Sequence, residues 1–438
     1  MSHCDLLLKA EYLLTQDDTR RVVNDAFLAI RNGTIAGLGS AHESASWQPK
    51  EERDLGHALI LPGLINAHTH TAMTFLRGFA DDLPLLTWLQ QKIFPVEAHL
   101  TRELVRTFSL LGFAEMLASG TTSCLDMYIF EEEVLAAART SGIGLSLGEG
   151  IFAFPSACCQ SWRDSLEVTE SLAEACASSR RHSVFVSPHS VYTTNPEILK
   201  ACCDLADRRN LPLHIHLAES QAEVEQCQTQ RGASPVTYVH DLALLDRPCT
   251  LAHVVEATEK ELDLLARAPD CVLVHNPTSN MKLASGIARI PEARARALPV
   301  ALGTDGPASN NCLNMFSEMK LAALLHKVTH KNPELIPAQE ALDFATLGGA
   351  KALHRQDIGS LTVGKRADLT VLDLTRPNLQ PLYAPLSHVV YAASGHEVIL
   401  TVVEGEILYE NGRYTRFSYD DLLDEVRRLR DFLVRTYA

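Results

Sequence analysis

The chain has 438 residues, 46% hydrophobic and 21% charged, so it can bury a large core and is not a disordered polypeptide. Its formal net charge of −15 argues against a nucleic-acid partner or an anionic membrane surface, and it favours a small neutral or cationic substrate. The eleven cysteines lack the spacing of a disulfide framework or a Cys-x-x-Cys metal site, which indicates reduced thiols in a cytoplasmic protein.

The two ends of the chain have the same β-rich texture. Residues 1–62 contain short apolar or alternating runs punctuated by Asn-Gly and Gly, and the pattern returns after about residue 358. We therefore expect one small β-sandwich assembled from residues 1–62 and 358–438. The final segment predicts an amphipathic helix that packs on the body of the protein, with an apolar face formed by Leu422, Val426, Leu429 and Leu433.

The middle of the chain, residues 63–357, alternates predicted strands with predicted helices. The candidate strands span 60–66, 121–127, 143–149, 184–188, 211–217, 249–255, 271–275 and 299–304. The helical patterns between them have recognisable starts, such as Asn195 followed by Pro196 and the capping box of Thr258 with Glu261. Eight such alternations predict a closed, TIM-like (β/α)8 barrel of the α/β class.

Two histidines follow the first of these strands, in the segment LPGLINAHTHTAM. His68 and His70 are two residues apart, and side chains at that spacing on a strand point to the same face, so the pair can bind one metal ion. A lone His-x-His pair is more often simply two polar residues at a strand exit. The ends of the other strands decide between these interpretations.

In a parallel barrel the catalytic groups lie where the strands end at their carboxyl side. The predicted strands end in imidazoles and carboxylates: His68, His70, His189, His216, Glu219, His253, His275 and Asp305. Chance explains one or two such residues, but so many at one end of a barrel indicate a functional site rather than packing. Imidazole and carboxylate ligands together suit a borderline divalent ion such as zinc.

A ligand set for one ion, with room for a water, can be drawn from these residues: His68, His70, His216 and Asp305. His253 is then expected beside that water. An ion of this type lowers the pKa of bound water to about 7, which supplies a nucleophile without a serine or cysteine. His214 shares a strand face with His216 and is interpreted as a supporting or barrel-interior residue, and His275 as a residue near the site rather than a ligand.

Six segments of the chain form a characteristic series: PGLINAHTHTAMTFLRG, DDLPLLTWL, LHIHLAES, HNPTSNMKLASGIA, GTDGPASNN and GKRADLTVLDL. This series resembles the amidohydrolase superfamily, and within it the branch of 5′-methylthioadenosine/S-adenosylhomocysteine deaminases. The resemblance extends over nearly the whole chain. The motifs in this order are highly specific for the superfamily and less specific for an individual substrate.

The resemblance implies a deaminase with one zinc ion, held through the positions that match His68, His70, His216 and Asp305. The match to Glu219 hydrogen-bonds the purine and protonates a ring nitrogen, and the match to His253 polarises the nucleophilic water. The match to Asp305 takes the proton of the water and passes it to the departing amine. The segment VFVSPHS has no lysine, whereas two-metal relatives bridge their ions through a carbamylated lysine there, so one ion is expected.

The nucleoside is expected to contact further residues. The resemblance matches Glu97 to a residue that accepts hydrogen bonds from the ribose hydroxyls, and His189 to another contact of the sugar. Trp88 is expected in the pocket wall, with a place in the apolar core as the alternative. Arg163 falls near an arginine that binds a substrate carboxylate in relatives, and an ordinary surface position is its alternative.

One departure from the family pattern concerns the 5′ substituent. Glu149 stands where relatives that accept S-adenosylhomocysteine can have a second arginine, and a carboxylate facing the substrate there would repel the amino-acid carboxylate. We therefore expect S-adenosylhomocysteine to be less favoured than 5′-methylthioadenosine, adenosine or another 5′-substituted adenosine. 6-Amino-6-deoxyfutalosine, from menaquinone biosynthesis, stays open as a substrate.

Other functions also stay open. The same metal chemistry serves deamination of guanine or a triazine, or hydrolytic removal of a halide, and a zinc protein that only binds a ligand is the alternative outside enzymes. Glu97 and His189 favour a nucleoside over a free base, and Glu219 beside an open ligand set favours catalysis. Because relatives are often dimers or tetramers, a homo-oligomer is expected, without nucleic-acid or membrane partners.

Overall fold

The computed structural model describes residues 1–437. The strands are β1 (Ser2–Leu14), β2 (Val22–Arg31), β3 (Thr34–Ser40), β4 (Trp47–Asp54), β5 (Ala58–Pro62), β6 (Leu64–Thr69), β7 (Thr121–Tyr128), β8 (Gly144–Ile151), β9 (His182–Val184), β10 (Ser187–Pro188), β11 (Leu213–Leu217), β12 (Cys249–His253), β13 (Cys271–His275), β14 (Val300–Leu302), β15 (Leu369–Asp373), β16 (Val398–Val403), β17 (Glu406–Glu410) and β18 (Arg413–Tyr414).

The helices are α1 (Leu85–Trp88), α2 (Phe94–Glu97), α3 (Arg102–Ala118), α4 (Glu131–Ser141), α5 (Trp162–Cys176), α6 (Pro196–Arg209), α7 (Gln221–Arg231), α8 (Pro235–Asp241), α9 (Glu259–Arg267), α10 (Pro277–Lys282), α11 (Ile290–Ala295), α12 (Pro307–Asn310), α13 (Met315–His330), α14 (Ala338–Asp343), α15 (Gly349–Ala352), α16 (Pro385–Tyr391) and α17 (Tyr419–Tyr437).

Strands from both ends of the chain form one nine-stranded sheet, as their shared β texture predicted. Its hydrogen-bonded order is β18-β17-β16-β15-β5-β1-β2-β3, with β4 beside β1. The two ends join through the antiparallel pairing of β15 with β5, in which Val371 faces Ile60. Although β2 and β16 are far apart in this order, Leu28 and Val402 belong to the same buried core. The sheet therefore surrounds apolar side chains contributed by both termini.

The middle of the chain forms a closed barrel of parallel strands, which confirms the predicted (β/α)8 architecture. β6, β7 and β8 pair in order, and β9 and β10 pair with β8 as two short pieces of one strand position. A bridge from Ser190 to His216 joins this half to β11-β12-β13-β14. The barrel closes where the amide of Asp305, beyond β14, donates to the carbonyl of His68 on β6 at 3.0 Å. The carboxyl ends of the strands thus meet at one mouth.

The predicted strand 60–66 is wrong in its bounds, because it spans the junction of the two sheets. Pro62 ends β5 of the terminal sheet, and β6 begins the barrel at Leu64. Gly63 between them packs so closely on Thr122 that a Cβ atom would lie 2.1 Å from the threonine hydroxyl. The barrel strand therefore starts later than predicted and runs directly into the two histidines.

Local sequence signals set the helix starts that were predicted. Asn195 accepts a hydrogen bond from the amide of Ile198 at the start of α6, and Thr258 and Glu261 form a reciprocal capping box at the start of α9. These caps satisfy backbone amides that have no partner within the helix. Because each helix begins at a fixed residue, the loops between strand ends and helices have defined lengths at the barrel mouth.

The carboxyl-terminal helix α17 packs on the body of the protein, as its amphipathic pattern predicted. Leu422 and Leu429 are buried, and Val426 and Leu433 pack partly buried against the core to which α3 contributes. Across residues 1–437, no helix combines the length and the apolar character needed to cross a bilayer.

Candidate metal and active site

Three imidazoles from two strands converge at the carboxyl end of the barrel. His68 lies at the end of β6, His70 directly after that strand, and His216 on β11. The ring centroid of His68 lies 4.9 Å from that of His70 and 4.8 Å from that of His216. The Nε2 atoms of His70 and His216 are 3.2 Å apart. The histidine pair therefore shares one face, as predicted, and meets a third imidazole from β11.

Asp305 completes this cluster from beyond the end of β14. Its Oδ1 atom lies 3.1 Å from Nε2 of His70 and 3.5 Å from Nε2 of His68. The other oxygen, Oδ2, accepts hydrogen bonds from the hydroxyls of Ser279 at 2.6 Å and Ser309 at 2.8 Å. The carboxylate thus has one oxygen fixed by serines and the other turned toward the imidazoles.

Backbone carbonyls determine the tautomers of His70 and His216. Nδ1 of His70 donates to the carbonyl of Met127 on β7, and Nδ1 of His216 donates to the carbonyl of His189 at 2.7 Å. A carbonyl oxygen can only accept, so each neutral ring has its proton on Nδ1 and a lone pair on Nε2. Both lone pairs point into the cluster.

His68 is oriented by a second histidine rather than by a carbonyl. Nδ1 of His214 lies 2.9 Å from the carbonyl oxygen of Thr250 and must donate to it. Nε2 of the neutral His214 ring is then an acceptor, and Nδ1 of His68 donates to it at 2.9 Å. This leaves the lone pair of His68 on Nε2, also directed into the cluster. His214 is therefore the supporting residue that the sequence left as one of two alternatives.

This donor set fits a divalent cation. The ligand atoms of the three histidines lie within 4.8 Å of one another, and Nε2 of His68 is buried without a hydrogen-bond partner. Burial lowers the pKa of His68 and of His216 well below the usual value, so both rings stay neutral. Burial also lowers the pKa of His70, but the carboxylate of Asp305 more than offsets this and raises it to about 9. A cation bound here would take the place of that proton, and nitrogen and oxygen ligands of this kind suit zinc.

A cavity opens over the cluster at the barrel mouth. Its wall is mostly apolar and aromatic, including Leu85, Phe94, Phe152, Tyr192 and Leu283. Of the residues expected to contact the nucleoside, Trp88, Glu97 and His189 line this cavity.

Two further polar groups that line the cavity, Glu97 and His189, are held in place by hydrogen bonds. Glu97 accepts a hydrogen bond from the hydroxyl of Tyr128 at 2.7 Å, and burial raises the pKa of its carboxyl group. Nδ1 of His189 lies 3.0 Å from the hydroxyl of Thr193. Burial lowers the pKa of His189 to about 3, so its ring is neutral at physiological pH. Glu97 can therefore accept hydrogen bonds from a ligand, and the neutral ring of His189 can accept or donate one.

Glu219 and His253 lie together beside the metal-ligand cluster and line the same cavity. Nε2 of His253 is 3.8 Å from Oε2 of Glu219. Nδ1 of His253 donates to the amide oxygen of Asn280 at 2.9 Å, and the hydroxyl of Ser285 donates to Glu219 at 3.4 Å. Burial raises the pKa of Glu219, so its carboxyl group keeps a proton to higher pH than an exposed glutamate does.

The backbone is left-handed where the chain leaves three of these strands. The residues are Ala218 with φ of 49°, His253 with φ of 73° and Asp305 with φ of 61°. Such values are uncommon outside glycine and concentrate at functional sites. At each position the chain turns out of the strand, so that a polar side chain at or next to the turn faces the barrel mouth.

Arg163 does not reach the cavity. It lies at the start of α5, its side chain is 63% exposed, and it pairs with Glu197 at 2.9 Å. Its guanidinium also stacks on the ring of Trp162, 4.0 Å from the centroid. The expectation that Arg163 binds a substrate carboxylate is therefore wrong, because α5 places it on the outer surface, where the alternative interpretation put it.

Glu149 is buried on the other side of the strand from the cavity. Its Oε2 accepts from the amide of Glu131 at 2.9 Å and its Oε1 from the thiol of Cys158 at 2.9 Å. Side chains alternate along β8, so that Gly150 and Phe152 border the cavity whereas Glu149 faces away. The expectation that Glu149 faces the 5′ substituent is therefore wrong.

Several residues that position the site were not identified from the sequence. Ser279 and Asn280 lie in the short helix α10 after β13, and Ser309 lies in the short helix α12 after β14, where single hydroxyl and amide side chains give no spacing signal. The segment HNPTSNMKLASGIA, which contains Ser279 and Asn280, was noted only as one of the motifs that resemble the family. His275 does not join the cluster, since its Nε2 lies 3.4 Å from that of His326.

A parallel barrel with histidine and aspartate ligands at its carboxyl end is typical of metal-dependent hydrolases. The family model described as the amidohydrolase family matches residues 59–408, and the chain belongs to this family. It is 55% identical over 436 residues to the 5-methylthioadenosine/S-adenosylhomocysteine deaminase of Desulfovibrio desulfuricans, with 99% of each chain covered. The enzyme of the same name from Lawsonia intracellularis is 53% identical, with 97% of each chain covered.

Two solved structures have a similar fold. An adenosine deaminase from Xanthomonas campestris with bound zinc superposes with a TM-score of 0.96 at 35% identity, with 99% of each chain covered. Atrazine chlorohydrolase from Arthrobacter aurescens in complex with zinc has a TM-score of 0.90 at 22% identity, covering 97% of this chain and 100% of its own. The second likeness establishes the fold alone.

Replacement of His214 tests the tautomer assignment. In His214→Ala, Nδ1 of His68 loses its acceptor, so we expect the zinc affinity of the protein to fall about 10–100-fold. A competition titration of the metal-free protein with a chromogenic chelator measures this. His326→Ala removes a buried histidine outside the cluster and is expected to keep the wild-type affinity. Equal affinities of wild type and His214→Ala would contradict the assignment.

Proposed function

We propose that this protein is a zinc-dependent deaminase of adenosine-type nucleosides, which replaces the amino group of the purine with oxygen and releases ammonia. The deaminase relatives and the zinc-bound adenosine deaminase support this class of substrate. The strongest structural support is that the buried carboxyl group of Glu219 faces the same cavity as an open metal-ligand cluster. An acid and a metal site that face one cavity suit hydrolytic attack on an aromatic ring carbon.

The proposed ligands are His68, His70, His216 and Asp305. When bound there, a single zinc ion lowers the pKa of a water molecule to about 7 and so supplies the nucleophile. Around these ligands, His214 keeps the His68 lone pair on Nε2, and the two serines keep one oxygen of Asp305 away from the imidazoles. The protein therefore holds all four ligand atoms in place before substrate binds.

The remaining polar groups divide the proton transfers between them. Glu219 donates its proton to a ring nitrogen of the purine, which makes the amino-bearing carbon a better electrophile. His253 orients and polarises the attacking water, because Nε2 faces the cavity while Nδ1 is fixed by Asn280. Asp305 accepts a proton from that water and returns it to the departing amine. Glu219 thus acts on the purine, whereas His253 and Asp305 act on the attacking water.

Further residues of the cavity suit the sugar and its 5′ substituent. Glu97 accepts hydrogen bonds from the ribose hydroxyls, His189 contacts the sugar, and Trp88 contributes to the apolar wall. Among the described residues that line the cavity, none is lysine or arginine. A neutral apolar substituent, as in 5′-methylthioadenosine, is therefore better accommodated than the charged amino acid of S-adenosylhomocysteine.

We extend the proposal to the localisation, partners and domain organisation of the enzyme. Its cysteines are free thiols, which suits the cytoplasm, and its net charge of −15 argues against nucleic acid as a partner. The exposed apolar side chains of Leu324 and Val328 on α13 favour a homo-oligomer. The chain is proposed to divide into a catalytic barrel, residues 63–357, and a composite terminal domain, residues 1–62 with 358–438.

Glu219→Gln tests the proposed acid. The amide cannot donate the carboxyl proton, so we expect ammonia release from 5′-methylthioadenosine to fall about 10²–10⁴-fold, with the zinc content unchanged. Arg163→Gln, on the outer surface, serves as the control and should keep full activity. Full activity of Glu219→Gln would contradict its role, and ammonia release from free bases but not from nucleosides would contradict the proposed substrate class.

A second assay tests the apolar 5′ side of the cavity. Because no cationic side chain lines it, desolvating the substrate carboxylate costs binding energy. We expect kcat/KM for 5′-methylthioadenosine to exceed that for S-adenosylhomocysteine by at least about tenfold, or about 1.4 kcal/mol. Phe152→Arg should reduce this ratio, whereas Arg163→Gln should leave it unchanged. A wild-type preference for S-adenosylhomocysteine would contradict the inference.

A further inference from the structure

Two adjacent cysteines and a glutamate form a second cluster of possible metal ligands behind the cavity wall. One ligand atom each from Glu149, Cys158 and Cys159 lies within 4.8 Å of the others. The cysteines lie in the loop between β8 and α5, and Glu149 lies on β8. This cluster shares no residue with the ligands of the catalytic ion.

The loop conformation brings both sulfur atoms to the carboxylate. Neighbouring side chains in an extended segment point apart, but here Ser156 closes a turn: its amide donates to the carbonyl of Cys159 at 2.8 Å, and its hydroxyl accepts from the amide of Cys159 at 3.1 Å. The thiol of Cys158 then lies 2.9 Å from Oε1 of Glu149 and 3.2 Å from the Ser156 hydroxyl. Among the described residues, the adjacent pair Cys202 and Cys203 on α6 belongs to no such group of ligand atoms.

Burial and access also suit a bound ion. Glu149 is fully buried and Cys159 is 3% exposed, whereas Cys158 is partly exposed and gives a route from solvent. The partner of Glu149 Oε1 is a thiol, which is a weak hydrogen-bond donor. A cation bound by this carboxyl group would replace that weak hydrogen bond.

We propose that Glu149, Cys158 and Cys159 bind a second cation, a soft thiophilic divalent ion such as Zn²⁺ or Cd²⁺. Two thiolates and one carboxylate select such ions over Mg²⁺ or Ca²⁺, which prefer oxygen ligands alone. On binding, two sulfur–metal bonds and one oxygen–metal bond form. Both thiols and the carboxyl group release their protons to solvent, and no atom changes oxidation state.

Occupation of this site is expected to affect substrate binding. Oε2 of Glu149 accepts from the amide of Glu131, and Oε1 of Glu131 accepts from the amide of Tyr128 at 2.7 Å. The hydroxyl of Tyr128 in turn donates to Glu97 in the cavity. A shift of the Glu149 carboxylate toward a cation would therefore displace Glu97, which is proposed to bind the ribose. We expect KM to rise more than kcat falls. This consequence depends on the proposed function, whereas metal binding does not.

A cadmium titration of the protein that already contains its catalytic zinc tests the site. Thiolate-to-cadmium bonds absorb in the ultraviolet, and the catalytic cluster has no cysteine, so cadmium exchange there gives no such absorption. We expect one equivalent of cadmium to produce the band. The double variant Cys158→Ala, Cys159→Ala should lose it, and Glu149→Gln should weaken cadmium binding about 10-fold or more.

The matched control is the double variant Cys202→Ala, Cys203→Ala, which removes another adjacent pair and should keep the band. Far-ultraviolet circular dichroism and ammonia release without cadmium show that each variant is folded. A band that persists without Cys158 and Cys159, or that is absent from the wild type, would overturn the proposed site. An unchanged KM with the band present would overturn only the coupling to the cavity. Absence of deaminase activity from the wild-type protein would contradict the proposed function and leave the cadmium result unaffected.

Discussion

The site depends on one constraint: three imidazole lone pairs and a carboxylate oxygen face each other in a buried space at the barrel mouth. Lone pairs in contact repel, and Nε2 of His68 is buried without a hydrogen-bond partner, so a positive charge among these atoms stabilises the arrangement. The surrounding protein enforces this. Carbonyl oxygens hold the protons of His70 and His216 on Nδ1, and His214 does the same for His68. The tautomers are therefore set by partners that do not contact the cation.

The barrel explains how groups distant in sequence act on one substrate. Parallel strands end at the same mouth. The ligands at and just after the end of β6, on β11 and beyond β14 therefore meet the acid that follows β11 and the imidazole that ends β12. Left-handed turns at Ala218, His253 and Asp305 direct the chain out of the strands at these points. Short helices also contribute side chains directly: Trp88 of α1 and Glu97 of α2 line the cavity, and Ser279 of α10 and Ser309 of α12 bond to Asp305.

Features that depend on regular strand periodicity were predicted correctly from the sequence. Features that depend on the path of a loop, or on which face of a strand borders the cavity, were not. The spacing of His68 and His70 follows from strand geometry, and polar residues at strand ends were found because a parallel barrel collects them. Arg163 and Glu149 were placed wrongly, since the first depends on the path of a loop and the second on which face of β8 borders the cavity. The role of His214 depends on a carbonyl of the neighbouring strand, which no pattern within its own segment reveals.

Zinc-edge X-ray absorption of the protein with one equivalent of zinc tests the four-residue ligand set most directly. We expect only nitrogen and oxygen neighbours at about 2.0–2.2 Å, from three imidazoles, one carboxylate and water. In His216→Ala the imidazole contribution should decrease while the remaining distances persist. A sulfur neighbour at about 2.3 Å at this stoichiometry would contradict the assignment, because it would mean that the first ion binds cysteine rather than the histidine cluster.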